Sequence, residues 1–547
     1  MENMQPDKHH KNKRKILILS AFLSLLVDAA VSNPLAHHHN HHSKGEYAST
    51  CAATRYPDLC LSTLAAKGPN SAAFNLKGSP FEKIARAITS KGGREILKKL
   101  RRPRLSLTRR GRGAFFDCSV MTFDTANQIY ASREMLREII MSNDISLFAA
   151  HKQDLYNLLS AAQTNVVSCL DGFSHSPADK NVQAVLKDQL MIKYKKRAED
   201  LMSLTDFLSD VEAKRVKAQP VKMGMEEEWP EWLSAGDRQL LKSSTVKADV
   251  TVKADGTGDR ITIAEAVAKA PAYKSRRFVI RITKGVYNEN VEVPKNKTNL
   301  MFVGDGMMNT IITASKSVVD DSTTFNSATV GVAGDGFLAR DITFQNTAGP
   351  SKDQAVALRV NANLSVFYNC RMTGYQGTLY VHSLRQFYSH CTISGTVDFI
   401  FGNAAAFLRK CHIKVRLPMP GQKNTVTAQG RSHRSQTTGI VIQKCQISAD
   451  KDLMAVQGKF ETYLGRPWQK YSRTVVMQTE ISDVIHPDGW LEWDGKFALD
   501  TLFYAEYGNT GAGKATGSRV KWNGFHVLTT EEQAQPFTVG NFLGSGS

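Results

Sequence analysis

An aspartate inside an apolar run needs something to hold it. Asp398 sits that way in GTVDFIFG (Gly395–Gly402). Four other polar residues interrupt comparably apolar stretches: Gln354 in DQAVALR, Gln376 in GYQGTL, Gln429 in TAQGR and Arg466 in LGRPW. One carboxylate, one guanidinium and three amides make a coherent kit. An arginine beside the aspartate keeps it ionised and oriented. An ionised carboxylate can attack an ester carbonyl, and glutamine amides can donate to the oxyanion that forms. Trp468, two residues after Arg466, offers a face for a sugar. Gly377 follows Gln376 directly, where a second acid would make chemical sense. The sequence holds no GxSxG, no metal-spaced histidine pair and no GxxxxGK[ST], so neither metal nor cofactor is expected; DGTGD (Asp255–Asp259) reads as a turn.

Residues this far apart meet only if the fold stacks them. After Lys247 short β-rich runs alternate with Gly and Asn turns, and several echo one another: GFLARDITFQN, LSVFYNCRMTG, RQFYSHCTISG, AAFLRKCHIKV and GIVIQKCQISA. Cys370, Cys391 and Cys411 lie 21 and 20 residues apart. Strand-type units at such a period imply stacked coils, hence a right-handed parallel β-helix over residues 247–547. Alternate residues point into the coil. The cysteines then occupy equivalent rungs, as small apolar fillers or, for Cys391 and Cys411 on adjacent coils, as a pair. Such a fold offers a long shallow groove of the kind that takes a polysaccharide.

Residues 44–211 read differently. In DLYNLLSAAQTNVVSCLDGF, apolar residues recur at three and four spacing, so this part is helical. Its four cysteines permit three pairings, of which Cys51–Cys60 and Cys118–Cys169 are preferred. KKLRRPRLSLTRRGRG (Lys98–Gly113) reads as a basic, solvated loop. Residues 212–246 read as a linker, with DRQLL at 237–241 a processing site.

The chain has 547 residues, a net charge of +19 and eight cysteines. That length exceeds one ordinary core, and the charge favours an anionic partner. Lys11, Lys13, Arg14 and Lys15 precede a 12-residue apolar run, Ile16–Val27, and small residues follow. This is a signal peptide, or a signal anchor if it stays uncleaved, the one case in which a membrane is a partner. Residues 1–43 also hold HHHNHH, read as a spacer and not a metal site. Secretion makes acidic glycans the expected anions, excludes nucleic acid, permits disulfides and opens the sequons at Asn296 and Asn363 to glycosylation.

Taken in order, GVYNEN, QAVALR, GYQGTL, GTVDFIFG, TAQGR and LGRPW resemble the plant pectinesterases, which remove methyl esters from homogalacturonan in the cell wall. CAATRYPDLC and TNVVSCLDGF resemble the pectinesterase-inhibitor domain, a four-helix bundle with two disulfides. The resemblance implies Asp398 as nucleophile, Arg466 as the residue that orients it, and Gln376 as the main transition-state stabiliser with Gln354 and Gln429 nearby. It implies Thr324, Gln354, Arg466 and Trp468 as pectin-binding positions, and a Cys391–Cys411 disulfide. It further implies DRQLL as the processing motif and contact between inhibitor-like and esterase-like parts, within or between chains. The family has GYQDTL where this chain has GYQGTL; the missing aspartate manages the proton, as acid and then as base. The expectation is therefore an esterase with impaired turnover, or a homologue that binds pectin or regulates other pectinesterases without catalysis.

Overall fold

The computed structural model describes residues 51–52, 56–64, 107–142, 145–174, 177–190, 194–215 and 228–544. The signal segment, the His-rich spacer, Lys98–Ser106 and residues 216–227 fall outside these.

From Val250 onward every paired strand is parallel. Three sheets of eleven, seven and eight strands run the length of this part, each joining strands from successive coils. The register is strict: Arg371, Thr392, His412, Gln446 and Glu480 align rung on rung. Inward residues therefore form files. Met372, Ile393, Ile413, Ile447 and Ile481 are one such file, all fully buried, and Phe367 stacks on Tyr388 with ring centroids 5.0 Å apart. Strands covered on both sides read as continuous apolar runs, as in GIVIQ (Gly439–Gln443). The result is the right-handed parallel β-helix expected from the echoed runs.

The coils turn sharply at single residues. Asp341, Asn369, His390, Lys410, Lys444 and Gln478 hold φ of 50–61°, one per coil at the same corner. One left-handed residue redirects the strand without a loop, so the register survives the bend.

Cys370, Cys391, Cys411 and Cys445 each precede that aligned rung and lie buried in the core as free thiols. The Cys391–Cys411 bridge implied by resemblance is therefore not formed. Both sulfurs point at backbone carbonyls of the preceding coil, Cys391 Sγ at Phe367 O (3.4 Å) and Cys411 Sγ at Tyr388 O (3.5 Å), which fits the filler reading.

The helical part and the coils form one compact unit, Ala48–Ser547. Its helices are α1 (Pro57–Leu64), α2 (Arg109–Ser142), α3 (Ile145–Asp171), α4 (Pro177–Leu190) and α5 (Lys196–Arg215). The disulfides Cys51–Cys60 and Cys118–Cys169 are both formed, the second joining α2 to α3. None of the described helices is long and apolar enough to cross a membrane.

Two loop readings give way to helices. Arg109–Gly113 opens α2, with Arg110 bonded to Val318 O of the coils, so this end of the basic run is packed. DRQLL lies within α6 (Ala235–Lys242), capped by Ser234. Leu233 and Leu241 pack onto the eleven-stranded sheet, and Asp237 pairs with Arg277 at 2.7 Å. The apolar Leu pair, read as part of a cleavage signal, serves equally as a packing face.

Candidate active site

Asp398 ends a turn just before the strand Ile400–Gly402. Two coils away, Arg466 follows the strand Thr462–Gly465. The seven-stranded sheet stacks these segments, with the strand Asn424–Gln429 between them. Sixty-eight residues of sequence thereby become two rungs in space. Arg466 Nε donates to Asp398 Oδ1 at 2.8 Å, and Nη2 donates to Oδ2 at 2.7 Å. Burial alone would pull the guanidinium down. Its bonds to Asp398 outweigh that and hold it above its ordinary value. The other face of Arg466 packs on Trp493, 4.4 Å from the ring centroid.

Thr425 completes the seat. Its Oγ1 donates to Asp398 Oδ1 at 2.7 Å and accepts from the Asp398 backbone N at 2.8 Å. Asp398 has φ of +50°, a conformation aspartate tolerates and these two hydrogen bonds hold. Oδ1 thus takes two hydrogen bonds and Oδ2 one, leaving Oδ2 the more available lone pair. Thr425 has no prominence in the sequence, since a threonine in a strand is ordinary; its signal was only its place beside TAQGR.

Asp398 opens into a cavity of about 280 Å³ lined also by Thr324, Gln354, Gln376, Gly377, Tyr380, Phe401, Trp468 and Trp493. The Gln354 and Gln376 side-chain amides make no hydrogen bond within the described residues, so their donors remain available. Phe401 stacks on Tyr380 with centroids 4.2 Å apart and meets Trp468 edge-on. Gly377 has φ of +71°, and a Cβ there would lie 3.3 Å from Phe401 Cε1 and 3.7 Å from Gln354 Cβ. The position therefore faces this cavity and carries no group to move a proton.

Gln429 is the exception among the sequence-derived candidates. Its Nε2 donates to Asn403 Oδ1 at 3.0 Å, while its Oε1 accepts from the backbone N of Arg431 (2.9 Å) and Arg473 (2.7 Å). It is fully buried. Its amide braces the turn behind the site, and Gln429 is not among the residues that line the cavity.

The remaining wall comes from the helical part, which the sequence had not placed here: Asp117 and Met121 of α2, Ser168 and Asp171 of α3. Asp117 accepts from Thr323 Oγ1. Ser168 Oγ lies 3.0 Å from His382 Nε2 and 3.2 Å from Tyr380 OH. Asn403 Nδ2 donates to Thr164 Oγ1 at 2.8 Å, and Gln436 Nε2 to Ser160 O at 3.3 Å. Ser160, Thr164 and Ser168 recur every fourth residue, one face of α3. Two ion pairs flank this seam, Lys295–Asp124 at 2.8 Å and Arg385–Asp154 at 2.5 Å. Burial pushes Asp117 up to about 6 and Asp171 up to about 7, and pulls His382 down to about 3. Among the described residues no cluster of His, Cys, Asp or Glu could hold a metal ion.

Residues 249–547 match the family model described as Pectinesterase, and residues 46–207 match that described as Plant invertase/pectin methylesterase inhibitor. The chain is 51% identical over 510 residues to Pectinesterase 3 of Citrus sinensis, covering 91% of this chain and 86% of that protein. It is 48% identical to Pectinesterase/pectinesterase inhibitor 3 of Arabidopsis thaliana, covering 100% of this chain and 97% of that one. Among solved structures, carrot pectin methylesterase is 63% identical with a TM-score of 0.55, over 55% of this chain and 95% of that one.

Proposed function

The chain belongs to the pectinesterase family, and from that premise we propose that its β-helix takes methyl-esterified homogalacturonan and acts on the ester with Asp398, at a turnover limited by Gly377. The carrying observation is the bidentate Arg466–Asp398 pair opening into one cavity with Gln354, Gln376 and Gly377. In this mechanism Asp398 attacks the ester carbonyl carbon, and the carbonyl oxygen becomes an oxyanion facing the amides of Gln376 and Gln354. The intermediate collapses to an anhydride between Asp398 and the sugar carboxyl, and methoxide leaves. Water then attacks the anhydride, freeing the carboxylate and restoring Asp398. Methoxide must gain a proton and the attacking water must lose one. A carboxyl at position 377 would serve both; here solvent must.

Gly377 also supports a second reading, a protein that holds pectin in this groove without turning it over. The methanol released from methylated pectin by the freed β-helical half decides between them. The carrot structure, which matches that half alone, supports using it by itself. Slow but measurable release supports the esterase reading; pectin binding with no release sinks it.

The helical part adds regulation to the proposal. Docked as described, α2 and α3 wall the cavity on the side where a polymer would enter. The full chain should therefore release methanol more slowly than its β-helical half. The reading further assigns the protein to the extracellular wall, where its substrate lies, with release of the β-helix by cleavage at DRQLL.

A further inference from the structure

The eleven-stranded sheet carries an apolar file on its outer face. Val279, Met301, Leu338, Val366 and Phe387 align rung on rung. The residue after each of them faces into the coil, as Ile280, Phe302 and Phe367 do. An outward apolar file must be covered by something else. Farther along the same file, Phe407 meets Phe542 of the helix Val539–Leu543. Over the first coils the cover is the strip 229–248. Leu233 and Leu241 are buried in one cluster with Val279, Met301 and Leu338. The Trp229 ring lies 5.6 Å from Tyr368 and 5.8 Å from Phe387.

That strip contains DRQLL. The arginine of the motif is folded back on its own chain: Arg238 Nε donates to Leu233 O at 2.8 Å and Nη2 to Pro230 O at 3.4 Å. Its backbone N donates to Ser234 O at 2.9 Å. Arg277 clasps the preceding aspartate, Nε to Asp237 Oδ1 at 2.9 Å and Nη2 to Oδ2 at 2.7 Å. The same guanidinium bonds Gly336 O, so it ties α6 to two coils at once. Of the five residues of DRQLL only Gln239 is exposed. On the far side, Asp249 N donates to Val279 O at 2.8 Å and Asp249 Oδ2 accepts from Val279 N at 2.9 Å, which fixes the chain at the start of the first strand. A protease reads its substrate as an extended strand with main-chain groups and side chains free. α6 offers neither.

We propose that the strip 229–242 is a latch on processing: an arginine-directed protease cuts DRQLL only from a state in which α6 has left the sheet. This rests on the reading of DRQLL as the cleavage signal given above; the packing of α6 does not. The opening is local, and the coils beneath stay wound. Peeling α6 bares Val279, Met301 and Leu338 to water and breaks the Arg277–Asp237 clasp, so the open state is sparsely populated. The rate of cutting then follows that population. Separation of the two halves is governed on the β-helix itself, on a face other than the seven-stranded sheet that holds Asp398.

The test is limited digestion of the full chain with trypsin, which also needs an extended arginine site. Cutting of the Arg238–Gln239 bond is followed by mass spectrometry and compared with a free peptide of residues 229–248. The chain should be cut there about a hundredfold more slowly than the peptide. Leu233→Ala lies outside DRQLL and should quicken cutting of the chain at least about tenfold, while leaving the peptide unchanged. Arg277→Gln, a milder change on the coil, should quicken it about fivefold. The Arg385–Gln386 bond, buried in the coils, reports global unfolding and should stay uncut in both variants. Cutting of the chain as fast as the peptide overturns the latch, as do rates within twofold of wild type in both variants. Cutting at Arg385–Gln386 in step with Arg238–Gln239 also overturns it, because the opening is then not local. The DRQLL reading is tested apart from this, by the N-terminal residue of the secreted β-helical half; a start outside 238–243 sinks that reading, and with it the role of the latch in processing.

Discussion

Restoring a carboxyl at position 377 is the sharpest perturbation this site allows. Gly377→Asp places a Cβ 3.3 Å from Phe401 Cε1, so the ring must give by a few tenths of an ångström. The φ of +71° adds about 1–2 kcal/mol for a side chain in the left-handed region, toward the low end for aspartate. In a domain of this size that corresponds to a fall in melting temperature of about 2–4 °C. The catalytic gain is larger. A positioned acid or base contributes about 10²–10⁴-fold, equal to about 2.7–5.4 kcal/mol of barrier. One residue would serve both half-reactions, so both should quicken. The assay is methanol release from methylated pectin by the freed β-helical half, wild type against Gly377→Asp and Gly377→Asn. We expect at least tenfold faster release for Asp and none of that gain for Asn, which has the same shape and no proton to exchange. Asn matching Asp would refute the proton argument and leave shape alone. Failure of Asp, with folding and pectin binding intact, would mean that something else disables the site.

Three further tests bear on separate parts of the structure. Thr425→Val in the Gly377→Asp background removes a hydrogen bond to an ionised carboxylate and should cost about tenfold in methanol release; a change within twofold would discharge Thr425 from its positioning role. Docking of the helical part on the β-helix should weaken with rising pH. If undocking returns Asp117 and Asp171 from about 6 and 7 to ordinary values near 3.8, docking takes up two protons above pH 4. Docking lowers His382 from about 6.5 to about 3 and so releases one, leaving a net of one proton bound between about pH 4 and 6. The docking constant should fall about tenfold per pH unit there, and more gently to pH 7, because the folded carboxyl values are raised and their contribution is lost on passing through them. Asp117 also faces Thr323, Arg359, Glu292 and Lys316, and His382 faces Arg359. An affinity between separately expressed halves that is flat or rises over that window contradicts the assignment. Finally, four thiols per chain should react in non-reducing denaturant and none in the native state; two would mean that Cys391–Cys411 is bridged after all.

Much of this was legible in the sequence because a β-helix repeats. The echoed runs revealed rung spacing, and rung spacing explained how Asp398 and Arg466 meet. Gln354 and Gln376 stood out for the same reason, as amides that interrupt apolar strands. Gln429 looked identical to them, yet it is buried behind the cavity, bonded to Asn403, Arg431 and Arg473, partners that no periodicity reveals. Thr425 had the opposite fate, since a β-branched residue in a strand attracts no notice. The corner residues His390 and Lys410 were unreadable, because left-handed turns usually advertise themselves with glycine. The seating of α2 and α3 was hidden more deeply. It depends on hydroxyl and carboxyl contacts such as Ser168–His382 and Asp117–Thr323, which bridge more than 200 residues. Neither partner is unusual for its own element.

The stacking of Asp398, Thr425 and Arg466 on three consecutive coils sets what the chain can vary. Lengthening the outward loop between those strands at residues 454–459 leaves each coil where it is and the ion pair intact. Inserting one whole coil between Thr425 and Arg466 would move the guanidinium by about 4.8 Å along the axis. That displacement exceeds the 2.8 Å bond it would have to preserve. The protein is thus free to edit its outline and not free to recount its turns.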